Sequence, residues 1–296
     1  MKKKIIVFGG SGFLGSHVAD ELSSQGFNVT IFDKKNSQWI RKDQKFIKGN
    51  ILDIKSLEKA IKGSSIIFNF ASISDIGEAL QNPTDTAKVN ILALIQILKL
   101  CVKYKIKQYV HASTIYVGGE HGGFYKSSKL ASESYVEEFY KIHGLKYTIL
   151  RYGTLYGPRS DKNNGLHQII KNAILKNRVE YSGNPEAARD YINVIDAAKA
   201  SSKAISKVFQ NKIIIISGSE TKKVRDILKM ISETMSFKNN IKYLKRDKTK
   251  LHTHYIRTPY TFKDPLVMKF NENFHIDIGQ GLVNLIKELK TIYNKK

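Results

Sequence analysis

The sequence predicts an α/β chain, a doubly wound parallel sheet that carries a smaller C-terminal α/β lobe. Three observations predict it. Short β-branched apolar runs alternate with stretches of helical spacing for about 220 residues, the pattern of parallel strands covered on both faces. A glycine cluster stands between the first of these runs and the first helix. Toward the C-terminal half the alternation loosens, punctuated by Gly157-Pro158, Gly183-Asn184-Pro185 and Thr258-Pro259.

The elements follow from hydrophobic period and from turn residues. Strands are expected at 4–8, 27–32 closing on Asp33, 66–70, 108–112, 147–151 and 212–216. Helices are expected at 13–22, 56–62, 84–104, 124–143, 165–177 and 194–208. At 296 residues the chain has room for one sizeable core and an annex. The expected division is a core over 1–155, to which about 190–217 returns, and a lobe drawn mainly from 156–296. The stripe Ile91, Leu94, Ile95 and Leu98 on the 84–104 helix reads as core.

Composition narrows the function classes. There are 49 Lys and Arg against 26 Asp and Glu, a net charge of +23. Clustered cations bind nucleic acid by releasing counterions from phosphates. Here they are spread along the whole sequence, so a general attraction for anionic metabolites is expected and a nucleic-acid partner is not. The single cysteine, Cys101, has no partner for an internal disulfide. No apolar run approaches a membrane span. The apolar run at 5–8 after Met1-Lys2-Lys3-Lys4 is too short for a signal-peptide core. A cytoplasmic protein is the expectation. His17, His111, His143 and His167 have no metal-ligand spacing with acids or cysteine, so no metal is expected.

Gly10-Ser11-Gly12-Phe13-Leu14-Gly15 fits G-x-G-x-x-G, and Gly9, Gly12 and Gly15 also fit G-x-x-G-x-x-G. Between a strand and a helix, such glycines let the chain turn sharply and approach a pyrophosphate closely. The helix N-terminus then turns its free N–H groups and positive dipole end to the phosphates. Asp33 ends the next strand, where an acid can bind the adenosine ribose hydroxyls. A carboxylate there repels a 2′-phosphate and favours NAD, while Lys34 and Lys35 pull the other way and leave NADP open. Asp53-Ile54 has two readings, an adenine contact or a cap for the helix that follows.

Tyr125 and Lys129 are four residues apart in a predicted helix and so share a face. An ammonium beside a phenol favours the phenolate and draws its pKa down from about 10. Such a tyrosine can trade a proton with a sugar or alcohol hydroxyl while hydride moves. Of the 15 tyrosines, Tyr125 alone has lysine at this spacing. Upstream, Ser113-Thr114 ends a predicted strand, at the sheet edge where such folds bind ligands.

Residues 4–200 resemble the extended short-chain dehydrogenase/reductase superfamily, specifically its NAD-dependent nucleotide-sugar epimerase/dehydratase branch, a Rossmann family. The marks are Gly9 to Gly15, Asp33, Asp53, Phe70-Ala71-Ser72, Val89-Asn90, Ser113-Thr114, Tyr125/Lys129, the run from Arg151 to Arg159, and the run from Arg189 to Asp196. The resemblance implies that Tyr125 is the acid/base and that Lys129 holds the nicotinamide ribose and lowers the tyrosine's pKa. It implies that Thr114 hydrogen-bonds the reacting oxygen and that Ala71, Ser72 and Tyr152 line the cofactor. A slip of one residue in the match nominates Ser113 in place of Thr114. In the second lobe, Arg189 resembles the arginine that grips the nucleotide diphosphate, and Thr154 and Arg159 are candidates to line the sugar pocket. Asn193 stands where the family more often has histidine.

The departures refine the expectation. The family's 4,6-dehydratases carry Asp-Glu directly after the catalytic threonine, and this chain has Ile115-Tyr116. The resemblance therefore implies a 4-epimerase of a nucleotide-diphosphate sugar, working through a transient 4-keto sugar, with a 4-ketoreductase as the alternative. A non-catalytic dinucleotide- or RNA-binding protein is the reading from another class, and the joint presence of Thr114, Tyr125 and Lys129 argues against it. The resemblance also implies a homodimer through the 84–104 helix and the one bearing Tyr125.

Overall fold

A computed structural model describes residues 3–237, 240–244, 254–259, 266–270 and 276–294. The first strand, β1 (Lys4–Phe8), is buried from Ile5 onward, as a strand with helices on both faces must be. α1 (Phe13–Ser24) follows the glycine turn and buries Val18, Ala19 and Leu22. Then come β2 (Asn28–Asp33), β3 (Lys45–Lys48), α2 (Ile54–Ile61) and β4 (Ile66–Asn69). α3 (Ile76–Gln81), α4 (Pro83–Ala87) and α5 (Ala93–Lys103) lead to β5 (Gln108–Thr114). α6 (Gly123–His143) and β6 (Tyr147–Tyr152) complete this run.

Beyond it lie β7 (Thr154–Tyr156), α7 (Gly165–Lys176), β8 (Val179–Tyr181), β9 (Ala188–Asn193) and α8 (Val194–Lys203). β10 (Lys212–Ile216), β11 (Thr221–Lys223), α9 (Val224–Thr234), β12 (Ile241–Tyr243), β13 (Val267–Lys269) and α10 (Ile278–Tyr293) end the chain.

The chain divides into two compact units. The first takes 1–152, 198–216 and 260–270, and among the described residues it holds a sheet in the order β13-β10-β6-β5-β4-β1-β2-β3. Every pair in that sheet is parallel. β1 sits between β2 and β4, so the chain winds outward in both directions from there, and the crevice at the strands' C-terminal ends is the ligand-binding position of such sheets. The second unit takes 153–197, 217–259 and 271–296. Among its described residues are two small sheets, β11-β9-β7 and β12-β8, and a core in which Leu166 and Ile170 of α7, Ile227 and Ile231 of α9, and Leu282 and Leu285 of α10 meet.

The predicted strands of the large sheet are present, with ends moved by a residue or two. The charged strand β3 was not predicted, because Lys45 and Lys48 bracket only two apolar residues. It is an edge strand, where lysine is favoured. The expected single helix over 84–104 is instead α4, a π-helical turn at Lys88–Leu92 and α5. Apolar spacing runs through that turn, so the period gives no sign of it. The turn carries Asn90 inward, where its amide donates to Ile73 O and Ser128 Oγ and accepts from Ile73 N. The helix expected over 194–208 stops at Lys203, with a separate 3₁₀ turn at Lys207–Phe209.

Candidate active site

The loop after β1 is built on backbone. Gly9 has φ +72°, and a Cβ there would stand 2.6 Å from Ala71 N; on Gly15 it would stand 2.2 Å from Gly9 O. The first of these contacts brings Ala71, beside Ser72 in the loop after β4, against the glycine turn. Ala71 N is held by Asn69 Oδ1 at 3.1 Å. Phe13 and Leu14 begin α1, whose N-cap Gly12 provides no side-chain cap, so the first N–H groups of the helix are left for a ligand. Asp33 Oδ2 accepts from Ser11 N at 3.0 Å and Oδ1 from Lys35 N at 3.0 Å, tying the end of β2 to this loop. Lys34 beside it is exposed.

Asp53 caps α2. Its carboxylate accepts from Lys55 N and from the Ser56 hydroxyl, and these bonds hold its pKa below the usual carboxylate value. Ile54, next to it, is exposed.

β5 settles which hydroxyl meets the tyrosine. Successive strand residues face opposite ways. Ser113 Oγ donates to the buried carboxylate of Glu133, while Thr114 hydrogen-bonds Tyr125. Thr114 Oγ1 accepts from Tyr116 N at 3.3 Å, which leaves its own proton for the phenol. The Tyr116 ring, 6.4 Å from that of Tyr125 and edge-on to it, borders the same place.

Lys129 is buried and donates to Ala112 O at 2.8 Å, with Nζ 6.0 Å from the centre of the Tyr125 ring. Burial raises the Tyr125 phenol to about 12, against the lowering effect of the Thr114 hydrogen bond. Burial also lowers Lys129 to about 8, with the Glu133 charge opposing. In the free chain, then, desolvation dominates the tyrosine, and the lysine ammonium is directed at a strand carbonyl. Tyr152 ends β6 with its hydroxyl 2.6 Å from Ser201 Oγ.

A second cluster lies within the other unit. The Arg189 guanidinium stands 4.9 Å from the centre of the Tyr255 ring, and the hydroxyl of Tyr255 is 2.8 Å from Thr154 Oγ1. Arg189 also hydrogen-bonds Tyr181. Two candidate substrate residues, Thr154 and Arg189, thus meet on Tyr255, which has no motif to single it out in the sequence. Arg159 is in a left-handed conformation with its N–H on Glu288 Oε1. Asn193 Oδ1 caps the start of α8 by accepting from Ile195 N.

Residues 5–217 match the NAD dependent epimerase/dehydratase family. The chain belongs to that family. It is an NAD-dependent enzyme of the extended short-chain dehydrogenase/reductase type.

Among relatives, a putative UDP-glucose 4-epimerase of Methanocaldococcus jannaschii is 28% identical over 85% of this chain and 89% of its own length. A UDP-N-acetyl-alpha-D-glucosaminuronate decarboxylase of Bacillus cytotoxicus is 26% identical over 99% of this chain and 100% of its own. Of solved structures, the UDP-glucose 4-epimerase of Thermotoga maritima with UDP-glucose superposes with a TM-score of 0.84 at 25% identity, covering 98% of this chain and 99% of that one.

The residues of this epimerase/dehydratase chain fit the dinucleotide of the family's name. At Gly9 and Gly15 a Cβ would strike backbone, Ala71 N and Gly9 O, so glycine alone lets the loop turn this tightly at the start of α1. The uncapped α1 N-terminus and the buried, unpartnered Ser11 Oγ offer hydrogen bonds that the protein itself does not use. No helix among the described residues is long and apolar enough to cross a membrane, and they contain no cluster of His, Cys, Asp and Glu able to hold a metal ion.

Proposed function

We propose that the chain is a nucleotide-sugar 4-epimerase, with UDP-sugars as its substrate class and Tyr125 as acid/base. The observation that carries this reading is the Thr114–Tyr125 hydrogen bond at the C-terminal end of β5, with Lys129 one helical turn away. The names of the Methanocaldococcus relative and the Thermotoga structure supply the substrate class.

Bound NAD supplies a hydride acceptor that later returns the hydride. Gly9, Ser11, Gly12 and Gly15 would hold its pyrophosphate, Asp33 the adenosine ribose, and Lys129 the nicotinamide ribose. Asp53 caps α2, and Ile54, Ala71, Ser72 and Tyr152 would line the cofactor.

Tyr125 receives the proton of the sugar C4 hydroxyl as a phenolate and gives it back as a phenol. Thr114 donates to the phenolic oxygen and stabilises the charge each time the proton leaves. The Lys129 cation acts in the same sense, and its effect grows because Lys129 itself is buried. Arg189 would take the diphosphate by a two-pronged contact, with Thr154 beside it through Tyr255. A homodimer through α6, which exposes Leu130 and Tyr135, together with the helical run over 84–104, which exposes Leu92, belongs to the same proposal and is checked by analytical ultracentrifugation.

The test is to identify the dinucleotide released from purified protein. The protein is then incubated with UDP-glucose, UDP-glucuronic acid and UDP-N-acetylglucosamine, and the products are followed by NMR. The expected result is bound NAD and a C4 epimer formed without net redox change. Stoichiometric use of added NADH or NADPH with no epimer would replace this reading by a 4-ketoreductase. Tyr125→Phe is expected to lower kcat by about 10³-fold or more while the protein still binds NAD; a variant with full activity sinks the mechanism.

A further inference from the structure

The first unit encloses, beside Lys129, two charges to which the acid/base reading gives no task, Glu133 and Arg151. Lys129, Glu133 and Arg151 are 4%, 3% and 8% exposed, so all three are cut off from water. Lys129 and Glu133 are one turn apart on α6 and share a face. Arg151 of β6 forks onto Glu133, Nε to Oε1 at 3.0 Å and Nη2 to Oε2 at 2.6 Å, and Ser113 Oγ of β5 donates to Oε1. Both carboxylate oxygens are thereby engaged, and the Lys129 ammonium stays on Ala112 O.

A buried ion pair is seldom more stable than an apolar pair of the same shape. Stability is therefore a weak reason to bury these charges here. The layer holds two cations and one anion. Among the described residues, His111 and Tyr125 adjoin Lys129 and are neutral at ordinary pH, as is Tyr109 beside His111. On β5, burial and then the Lys129 charge hold His111 well below its usual range, and burial raises Tyr109; on α6, burial raises Tyr125.

We infer that Glu133, clamped by Arg151 and Ser113, is a positioning residue that keeps Lys129 a cation inside this dry layer and so sets the pH range in which Tyr125 works. The inference rests on the acid/base reading of Tyr125 and Lys129. Burial drives a lysine toward the neutral amine, and Glu133 supplies the opposing field from one turn away. Arg151 takes the carboxylate side-on, so that Glu133 does not close onto the ammonium and cancel it. The excess positive charge is available to a phenolate at Tyr125.

Two readouts test this, the pH profile of kcat/KM and urea unfolding of the cofactor-free protein between pH 6 and 10. Both are compared in the wild type, Glu133→Gln and the double variant Glu133→Gln/Arg151→Met. The double variant removes both charges together, a replacement that buried pairs tolerate, and serves if the single variant does not fold. Glu133→Gln is expected to move the alkaline limb of the profile down by about 1 pH unit, a loss of about tenfold on that limb. The pH at which the wild type begins to gain stability is expected to fall with it. The double variant moves both in the same direction by less, because the repulsion from Arg151 goes too.

If the limb and the onset both stay in place while only the melting temperature falls, Glu133 is a structural residue and the inference is overturned. The unfolding readout needs no substrate. An inactive chain would defeat the proposed function, and the unfolding curves would still decide the role of Glu133.

Discussion

The two units prepare their polar sites in different ways. In the first unit the candidate cofactor site is made of backbone, with two glycines that no Cβ can replace, an uncapped helix N-terminus, and Asp33 fastening the loop through Ser11 N. In the second unit the candidate substrate site is made of long side chains, with Arg189 over the ring of Tyr255 and Thr154 on its hydroxyl. Residues 154 and 255 are 101 apart in sequence. A site made of backbone leaves a signature in sequence, because it forbids side chains at fixed spacing. A site made of side chains leaves none, because many pairs of positions can bring an arginine and an aromatic ring together.

The largest expected effect on stability is one of pH on the first unit. Lys129 is lowered to about 8 in the folded chain from 10.5, so between those values the unfolded chain binds a proton that the native chain does not. Stability therefore rises with pH across that window, by about 3 kcal/mol from this group. Lys129→Met should flatten the curve by that amount in cofactor-free unfolding, and an unchanged slope would remove the lysine from the water-excluded layer. Next comes Gly15→Ala, whose Cβ meets Gly9 O. A cost of about 2 kcal/mol in stability and about 30-fold in NAD affinity is expected, read by thermal melting and calorimetry.

The second unit should respond separately. Arg189→Ala is expected to raise KM for a UDP-sugar by about tenfold with NAD affinity unchanged. A fall in NAD affinity would break the division of labour between the units. The smallest effect is expected from Asp53→Ala, about 1 kcal/mol in melting from a lost helix cap. A clear loss of NAD affinity from that variant would add the adenine-contact role to the cap.

Particular residues show how far the sequence reaches. Gly9 to Gly15, Asp33 and the Tyr125/Lys129 spacing were legible because each depends on a local rule, a turn that excludes Cβ or a helical period of about 3.6. The π-helical turn that carries Asn90 inward was hidden, since apolar spacing continues through it. Ser113 and Thr114 could not be told apart by a motif that tolerates a slip of one residue, and in a strand that slip reverses the face. The fold places Thr114 on Tyr125 and Ser113 on Glu133.

By itself the sequence determined the doubly wound sheet, its covering helices and the glycine turn, because hydrophobic period and backbone sterics act over a few neighbours. Only the tertiary structure decided that Glu133 takes Arg151, that Thr154 and Arg189 meet on Tyr255, and that burial outweighs the Thr114 hydrogen bond at Tyr125. Each of these depends on partners distant in the chain or on the exclusion of water, and neither is written in local spacing.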